Sequence, residues 1–119
     1  MKYILAILPP DVLHRVKDAL IGKHIHGLTA SEARGFGQEH DASHPDFREI
    51  PGVELTKKVR LEIICHDSEV EEVLNAFYTA AHTGHAGDGK VFVLPVLEAV
   101  RLKTGERGAS ALGPTSQPQ

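Results

Sequence analysis

Hydrophobic residues recur along the chain in six stretches, each with the spacing of either a β-strand or an α-helix. Short apolar or alternating runs predict strands at residues 2–8, 24–34, 57–65 and 91–103. Apolar residues at helical spacing predict helices at residues 10–22 and 67–81. The predicted order is therefore β-α-β-β-α-β.

The apolar positions inside these stretches indicate which faces are buried. The stripe of the first helix consists of Val12, Leu13, Val16, Ala19 and Leu20, and that of the second consists of Val70, Val73, Leu74 and Phe77. In the strand at 57–65, the residues Val59, Leu61 and Ile63 alternate with Lys58, Arg60, Glu62 and Ile64. The first set is expected to face the core, and the second to face the opposite side of the sheet.

Local signals mark the ends of the elements. Pro9 and Pro10 end the first strand, and Ser68 with Glu71 fits a capping box for the second helix. Gly27 is a candidate β-bulge in the second strand. Pro95 lies within the last predicted strand, which indicates an edge position or a kink.

Two βαβ halves with right-handed crossovers predict an α+β, ferredoxin-like βαββαβ sandwich. Its single antiparallel sheet carries both helices on one face. The other face must be covered, and oligomerisation is the simplest way to cover it. The length of 119 residues fits one domain.

Composition narrows the class of protein. A net charge of −3, no Trp and only 5% aromatic residues argue against a nucleic-acid partner. No apolar run approaches the roughly 18 residues of a membrane span, so a cytoplasmic location is expected. The one cysteine, Cys65, excludes an internal disulfide and a Cys-rich zinc site. It is interpreted as a small buried hydrophobe.

Two stretches carry candidate chemistry. Residues 35–55 break every periodicity, and a loop of this length is usually functional. Residues 82–93 place Gly84, Gly87 and Gly89 around Asp88 and Lys90. Glycine backbones approach a ligand closely, and their N–H groups converge on anions. A helix end followed by a plain hairpin loop with a solvated lysine explains the same composition.

Cations on the last predicted strand strengthen the first interpretation. Arg101 and Lys103 are two residues apart, so on a strand they project from the same face. Together with Lys90 they make a credible phosphate site beside the glycines.

These motifs resemble those of the PII signal-transduction family. The resemblance lies in Thr83-Gly84-His85-Ala86-Gly87-Asp88-Gly89-Lys90-Val91-Phe92-Val93, in Arg101-Leu102-Lys103-Thr104-Gly105-Glu106, in Gly35-Phe36-Gly37 and in Lys58-Val59-Arg60-Leu61-Glu62-Ile63. They keep the expected order and spacing over residues 1–112. The family-like domain is therefore placed at 1–112, and a flexible tail at 113–119.

The resemblance implies a homotrimer of ferredoxin-like subunits that binds adenine nucleotides in the clefts between neighbours. It places Gly87, Gly89, Lys90, Arg101 and Lys103 at the phosphates, and Gly27, Thr29, Gly35, Glu62 and Ile64 around the ribose and adenine. Gly37, Gln38 and Asp88 complete the nucleotide set. It also implies that residues 35–56 form a mobile loop that contacts target proteins. No covalent cofactor and no catalytic residue are implied.

Three departures from the family pattern shape the functional hypothesis. Gln38 replaces an arginine that reaches the outer phosphates, and a lost charge-assisted contact costs about 1.5–3 kcal/mol. A preference for ADP or AMP over ATP is therefore predicted. Glu39 replaces a glutamine and disfavours 2-oxoglutarate, although Lys58, the family's keto-acid partner, is retained. Glu49, Ile50 and Pro51 fill the region of the modifiable Tyr and Ser.

The favoured hypothesis is a regulator of an inorganic-carbon transporter or a carboxysome-related protein, as in the bicarbonate-linked PII-like proteins. Lys58 and Glu39 are its candidate bicarbonate residues. One alternative is a metal-responsive regulator of an efflux system, with His40 and His44 as ligands, although such loop histidines are more often solvated. Another is nitrogen control through ATP and 2-oxoglutarate. No residues pair a nucleophile with a base, which argues against an enzyme.

Overall fold

The computed structural model describes residues 1–23, 25, 27–36, 55–85 and 87–113. Within these ranges the strands are β1 (Lys2–Leu8), β2 (Thr29–Gly35), β3 (Thr56–Cys65) and β4 (Lys90–Pro95), and the helices are α1 (Leu13–Ile21) and α2 (Val70–Ala81). The strands lie in the order β2-β3-β1-β4, and each neighbouring pair is antiparallel. The predicted α+β ferredoxin-like fold is confirmed.

The hydrophobic core lies between one face of the sheet and the two helices. β1 and β3 bury every second residue, and the two helices cover them with the predicted apolar stripes, except that Leu74 lies outside the core cluster and lines a pocket. The buried residues of the two central strands are Ile4, Ala6, Leu8, Val59, Leu61, Ile63 and Cys65. Cys65 is thus a core hydrophobe, and burial raises the pKa of its thiol.

The other face of the sheet is rich in apolar side chains, and neither helix packs on it. β1 places Tyr3, Leu5 and Ile7 there by alternation. Exposed Phe92 and Leu94 of β4 pair with Leu5 and Tyr3. We call this surface the open face.

Two strand predictions were wrong at their ends. β2 begins at Thr29, so Gly27 precedes the strand and is not a bulge within it. β4 ends at Pro95 because its partner β1 begins at Lys2, directly opposite. Beyond Pro95, an isolated β-bridge joins Val100 to Arg107 across a turn. Pro95 does lie on an edge strand, as predicted.

The predicted helix starts also differ from the structure. A short 3₁₀ turn, Pro10–Val12, precedes α1, and another, Asp67–Glu69, precedes α2. The backbone N–H of His66 donates to the Glu69 carboxylate at 2.8 Å, so the cap uses Glu69 instead of the predicted Ser68 and Glu71. Among the described residues, no helix has the length and hydropathy needed to cross a membrane.

Gly89 joins the glycine stretch to the sheet. Its φ is +106°, and a Cβ atom at this position would lie 2.4 Å from the carbonyl oxygen of Ile7. Neither the conformation nor the space allows a side chain here. Gly84 has a φ of +87°, but a Cβ atom there meets nothing within 4 Å.

We therefore expect Gly89→Ala to be much more damaging than Gly84→Ala. Backbone strain and the clash with β1 should lower the free energy of unfolding by about 2–4 kcal/mol. Gly84→Ala, which carries the strain alone, should cost about 1–2 kcal/mol. Urea denaturation of both variants at equal protein concentration checks this, and equal losses would contradict it.

Candidate functional site

A cleft of about 480 Å³ opens on the open face, where β2 begins beside the end of β3. Thr29 and Glu62 are direct partners across these two strands. The cleft is lined by Tyr3, Gly27, Leu28, Thr29, Glu62, Ile64, Ala111 and Leu112. It therefore combines apolar walls with a carboxylate and a hydroxyl, which suits a ligand with both a flat apolar part and polar groups.

The cleft brings together four residues that the sequence placed around a ribose and an adenine, namely Gly27, Thr29, Glu62 and Ile64. Sequence reasoning missed Tyr3, Leu28, Ala111 and Leu112. Leu28 was discoverable, because it lies between two predicted site residues. Ala111 and Leu112 gave no signal, since a short 3₁₀ helix (Gly108–Ala111) brings them to the cleft from a segment without periodicity.

Three polar side chains meet beside this cleft. The hydroxyl of Tyr3 donates to the Glu62 carboxylate at 2.5 Å. A guanidinium nitrogen of Arg60 donates to the Tyr3 oxygen at 3.4 Å and lies 3.5 Å from the same carboxylate. The contact with Tyr3 and the charge of Glu62 raise the pKa of Arg60.

Arg101 reaches the same region from the C-terminal segment. Its guanidinium contacts the Glu106 carboxylate at 3.1 Å and the carbonyl oxygen of Gly113, the residue after Leu112. Lys103 lies on the turn at 102–104. The expectation that both cations project from one face of a strand was wrong, because the chain turns here, with Gly105 N–H donating to the Arg101 carbonyl at 2.7 Å.

The glycine stretch is organised by its own acid. Asp88 accepts hydrogen bonds from the backbone N–H groups of Thr83 and Gly84, at 2.7 and 2.9 Å, and from the Thr83 hydroxyl. These bonds, the Thr83 hydroxyl foremost, lower the pKa of Asp88 to about 2. Gly84, Gly87 and Gly89 all have positive φ, as a tight anion-binding loop requires. In this structure Asp88 stabilises the loop through these hydrogen bonds, and its contact with a nucleotide stays a prediction.

Gly89 and Lys90 line a second pocket, of about 570 Å³, on the helix side of the sheet. Its wall is largely apolar and includes Leu74, Phe77 and Val91. The cleft reaches from β2 across β3 to Tyr3, near the start of β1. The glycine stretch leads into β4 and lies against Ile7, near the other end of β1.

The remaining predicted residues lie elsewhere. Gly35 ends β2, and its carbonyl accepts a hydrogen bond from the Thr56 hydroxyl at 2.8 Å. Lys58 lies on β3 and pairs with Ala33 of β2. The loop residues Gly37, Gln38, Glu39, His40 and His44 fall outside the described residues, as do residues 114–119 of the predicted tail. The described ranges contain no cluster of three candidate metal ligands.

The low pKa of Asp88 makes the loop sensitive to acid. Because the hydrogen bonds favour the ionised form, their stabilisation is complete above the ordinary pKa of 3.8 and is lost as the pH falls through about 2. We expect the amide chemical shifts of Thr83 and Gly84 to titrate with a midpoint near 2 in an NMR pH series. Asp88→Asn should abolish this transition and Asp18→Asn, on α1, should leave it unchanged. A midpoint near 3.8 would contradict the assignment.

Comparison with known proteins gives one consistent result. The family model described as nitrogen regulatory protein P-II matches residues 1–106. The chain is 44% identical to "Nitrogen regulatory protein P-II" of Azospirillum brasilense and 39% identical to the protein of that name from Microchaete diplosiphon, covering 94% of this chain and 100% of each relative. "Nitrogen regulatory protein P-II 2" of Methanothermobacter thermautotrophicus is 38% identical, over 94% of this chain and 97% of its own. The chain therefore belongs to the nitrogen regulatory protein P-II family of signal-transduction regulators.

Proposed function

We propose that the protein is a regulator that binds adenine nucleotides in clefts between the subunits of a homotrimer. One observation carries the proposal. Four residues expected around the ribose and adenine line one cleft near β2, whereas the glycine stretch expected at the phosphates precedes β4. A ligand that contacts both groups is most simply held between two copies of the chain.

The open face supports the assembly. Phe92, Leu94 and Ile64 are each more than 40% exposed on it. A contiguous apolar surface of this kind is typical of a protein–protein interface. Since a closed homotrimer buries equivalent surfaces of three copies, the same association covers this face and joins the two halves of the nucleotide site.

The charges and backbone suit a phosphate chain. Lys90 follows Gly89 directly, and Arg101 contacts a backbone carbonyl beside the cleft. A phosphate is a stronger partner for a guanidinium than a neutral carbonyl, because both partners are charged. The contact between Arg101 and Gly113 is thus one that a nucleotide replaces.

The loop sequence supplies the finer part of the proposal. Gln38 lacks the charge that favours a third phosphate, so ADP or AMP is preferred over ATP. Glu39 repels a dianionic keto acid, so bicarbonate, with Lys58 as its partner, is the second ligand. The regulated target is an inorganic-carbon transporter or a carboxysome-related protein, contacted through residues 35–56.

Nitrogen control is the second candidate, and the comparisons favour it. The relatives that match nearly the whole chain carry the name nitrogen regulatory protein. On this alternative, ATP and 2-oxoglutarate are the cooperating ligands, and Lys58 binds the keto acid in spite of Glu39.

Calorimetric titration separates the two candidates. The protein is titrated with AMP, ADP and ATP, each with and without bicarbonate, and then with 2-oxoglutarate. We expect ADP or AMP to bind more tightly than ATP by about tenfold, the effect of one lost charged contact. Bicarbonate should tighten their binding, since two ligands that favour the same state are coupled.

Other results would correct the proposal at different levels. Cooperative binding of ATP and 2-oxoglutarate would establish nitrogen control in place of carbon sensing. No heat with any nucleotide, at concentrations where the protein is folded and trimeric, would overturn nucleotide binding itself.

Gly27 gives a direct test of the cleft. A Cβ atom there meets nothing within 4 Å, and the backbone does not require glycine. Gly27→Ala should therefore leave the melting temperature unchanged while its methyl group intrudes on a bound nucleotide and weakens ADP binding. The matched control, Gly22→Ala at the end of α1, should bind ADP like the wild type. Equal affinities in all three proteins would place the nucleotide elsewhere.

A further inference from the structure

Tyr3 approaches Glu62 diagonally across two paired strands. Its direct partner on β3 is Ile64, and the direct partner of Glu62 on β1 is Leu5. Diagonal neighbours lie about 7–8 Å apart at the backbone, within reach of an aromatic side chain. The phenol spans this gap and donates to the carboxylate at 2.5 Å. A bond this short is typical of a hydroxyl that donates to an ionised oxygen.

Arg60 forms a second contact with the Glu62 carboxylate, at the same oxygen as Tyr3. It precedes Glu62 by two residues, so both side chains belong to the open face. Its guanidinium lies 3.5 Å from Oε2 of Glu62, the oxygen that Tyr3 already contacts. Among the described residues, no hydrogen bond reaches Oε1.

We propose that Tyr3 is a positioning residue of the nucleotide site, which fixes Glu62 so that Oε1 accepts a hydrogen bond from a ribose hydroxyl. The inference rests on the proposed nucleotide binding. Tyr3 and Arg60 occupy Oε2, and the carboxylate cannot turn that oxygen to the ligand without losing both contacts. A carboxylate oxygen accepts a hydrogen bond from a hydroxyl but does not donate one, so Oε1 is an acceptor for the ribose.

This arrangement makes the site selective for a ribose over a deoxyribose. Glu62 lines the cleft together with Thr29, and a carboxylate oxygen that is desolvated without a hydrogen bond carries a penalty. A site built to bond a hydroxyl rejects the analogue that lacks it, because its own polar group is then left unpaired. Tyr3 acts on this selectivity through its hydrogen bond to Glu62.

The test compares ADP with 2′-deoxy-ADP and 3′-deoxy-ADP by calorimetry. Wild-type protein should prefer ADP over at least one deoxy analogue by about tenfold, the effect of one hydrogen bond to a charged group. Tyr3→Phe removes one oxygen and keeps the ring. It should reduce that preference at least about threefold, because the carboxylate of Glu62 can then rotate and no longer presents Oε1 in a fixed direction, although its charge is kept. The melting temperature should stay close to wild type.

Two further variants separate the possible outcomes. Tyr78→Phe removes a phenol from α2 on the helix side and should leave the preference unchanged. Glu62→Gln should abolish the preference. If Glu62→Gln abolishes it and Tyr3→Phe keeps it in full, nucleotide binding stands and the role of Tyr3 is overturned. If wild-type protein binds no ADP, both proposals fail. If Tyr3→Phe weakens ADP and the deoxy analogues equally, Tyr3 is structural and the inference is also overturned.

Discussion

The antiparallel pairing of β1 with β3 is the constraint on which the rest of the structure depends. Its register sets Tyr3 opposite Ile64 and Leu8 opposite Val59. A shift by one residue would move every side chain of β1 to the other face. The same register therefore places Ile4 and Leu8 in the core and Tyr3 beside the cleft. The core and the candidate cleft lie on the two opposite faces of this strand pair.

The glycine stretch depends on this ladder as well. Gly89 lies against the Ile7 carbonyl, at the point where β1 ends and β4 begins. Asp88 then ties Thr83 and Gly84 together just before the strand. The loop is thus shaped by its contacts with the protein before any ligand binds. Preorganisation of this kind lowers the entropic cost of binding an anion.

The hydrophobic core and the candidate cleft lie on opposite faces of the sheet. The helix side holds the apolar core and, at the β4 edge, the pocket lined by Gly89 and Lys90, whereas the cleft lies on the open face. The cleft and the glycine stretch lie apart within one chain, at Tyr3 and at Ile7 of β1, and this separation links nucleotide binding to assembly in the proposed trimer. Such a link lets a ligand at the boundary influence how subunits are arranged, which is a suitable basis for a signalling protein.

Much of the site followed from local sequence, and the rest did not. Gly27, Thr29, Glu62 and Ile64 were expected from the resemblance to a family, and the structure places all four in one cleft. Tyr3 was not identified, because its role depends on a contact with Glu62, which is 59 residues away in the chain, and no local pattern indicates that contact. Arg101 was identified, but the predicted strand around it was wrong. Its partner Glu106 follows the turn at 102–104 and its partner Gly113 follows a short 3₁₀ helix, in segments that have no hydrophobic period.

The sequence by itself determined the order of strands and helices, the buried faces of β3, α1 and most of α2, and the resemblance to a family. Periodicity and motif spacing depend only on residues that are close together in the chain, so they can be recognised in the sequence alone. Only the tertiary structure decided where β4 ends and which residues line the cleft. It also showed that Asp88 accepts hydrogen bonds from Thr83 and Gly84 within its own loop. These features depend on which strand lies opposite and on contacts between distant segments, and the spacing of residues along a chain does not encode them.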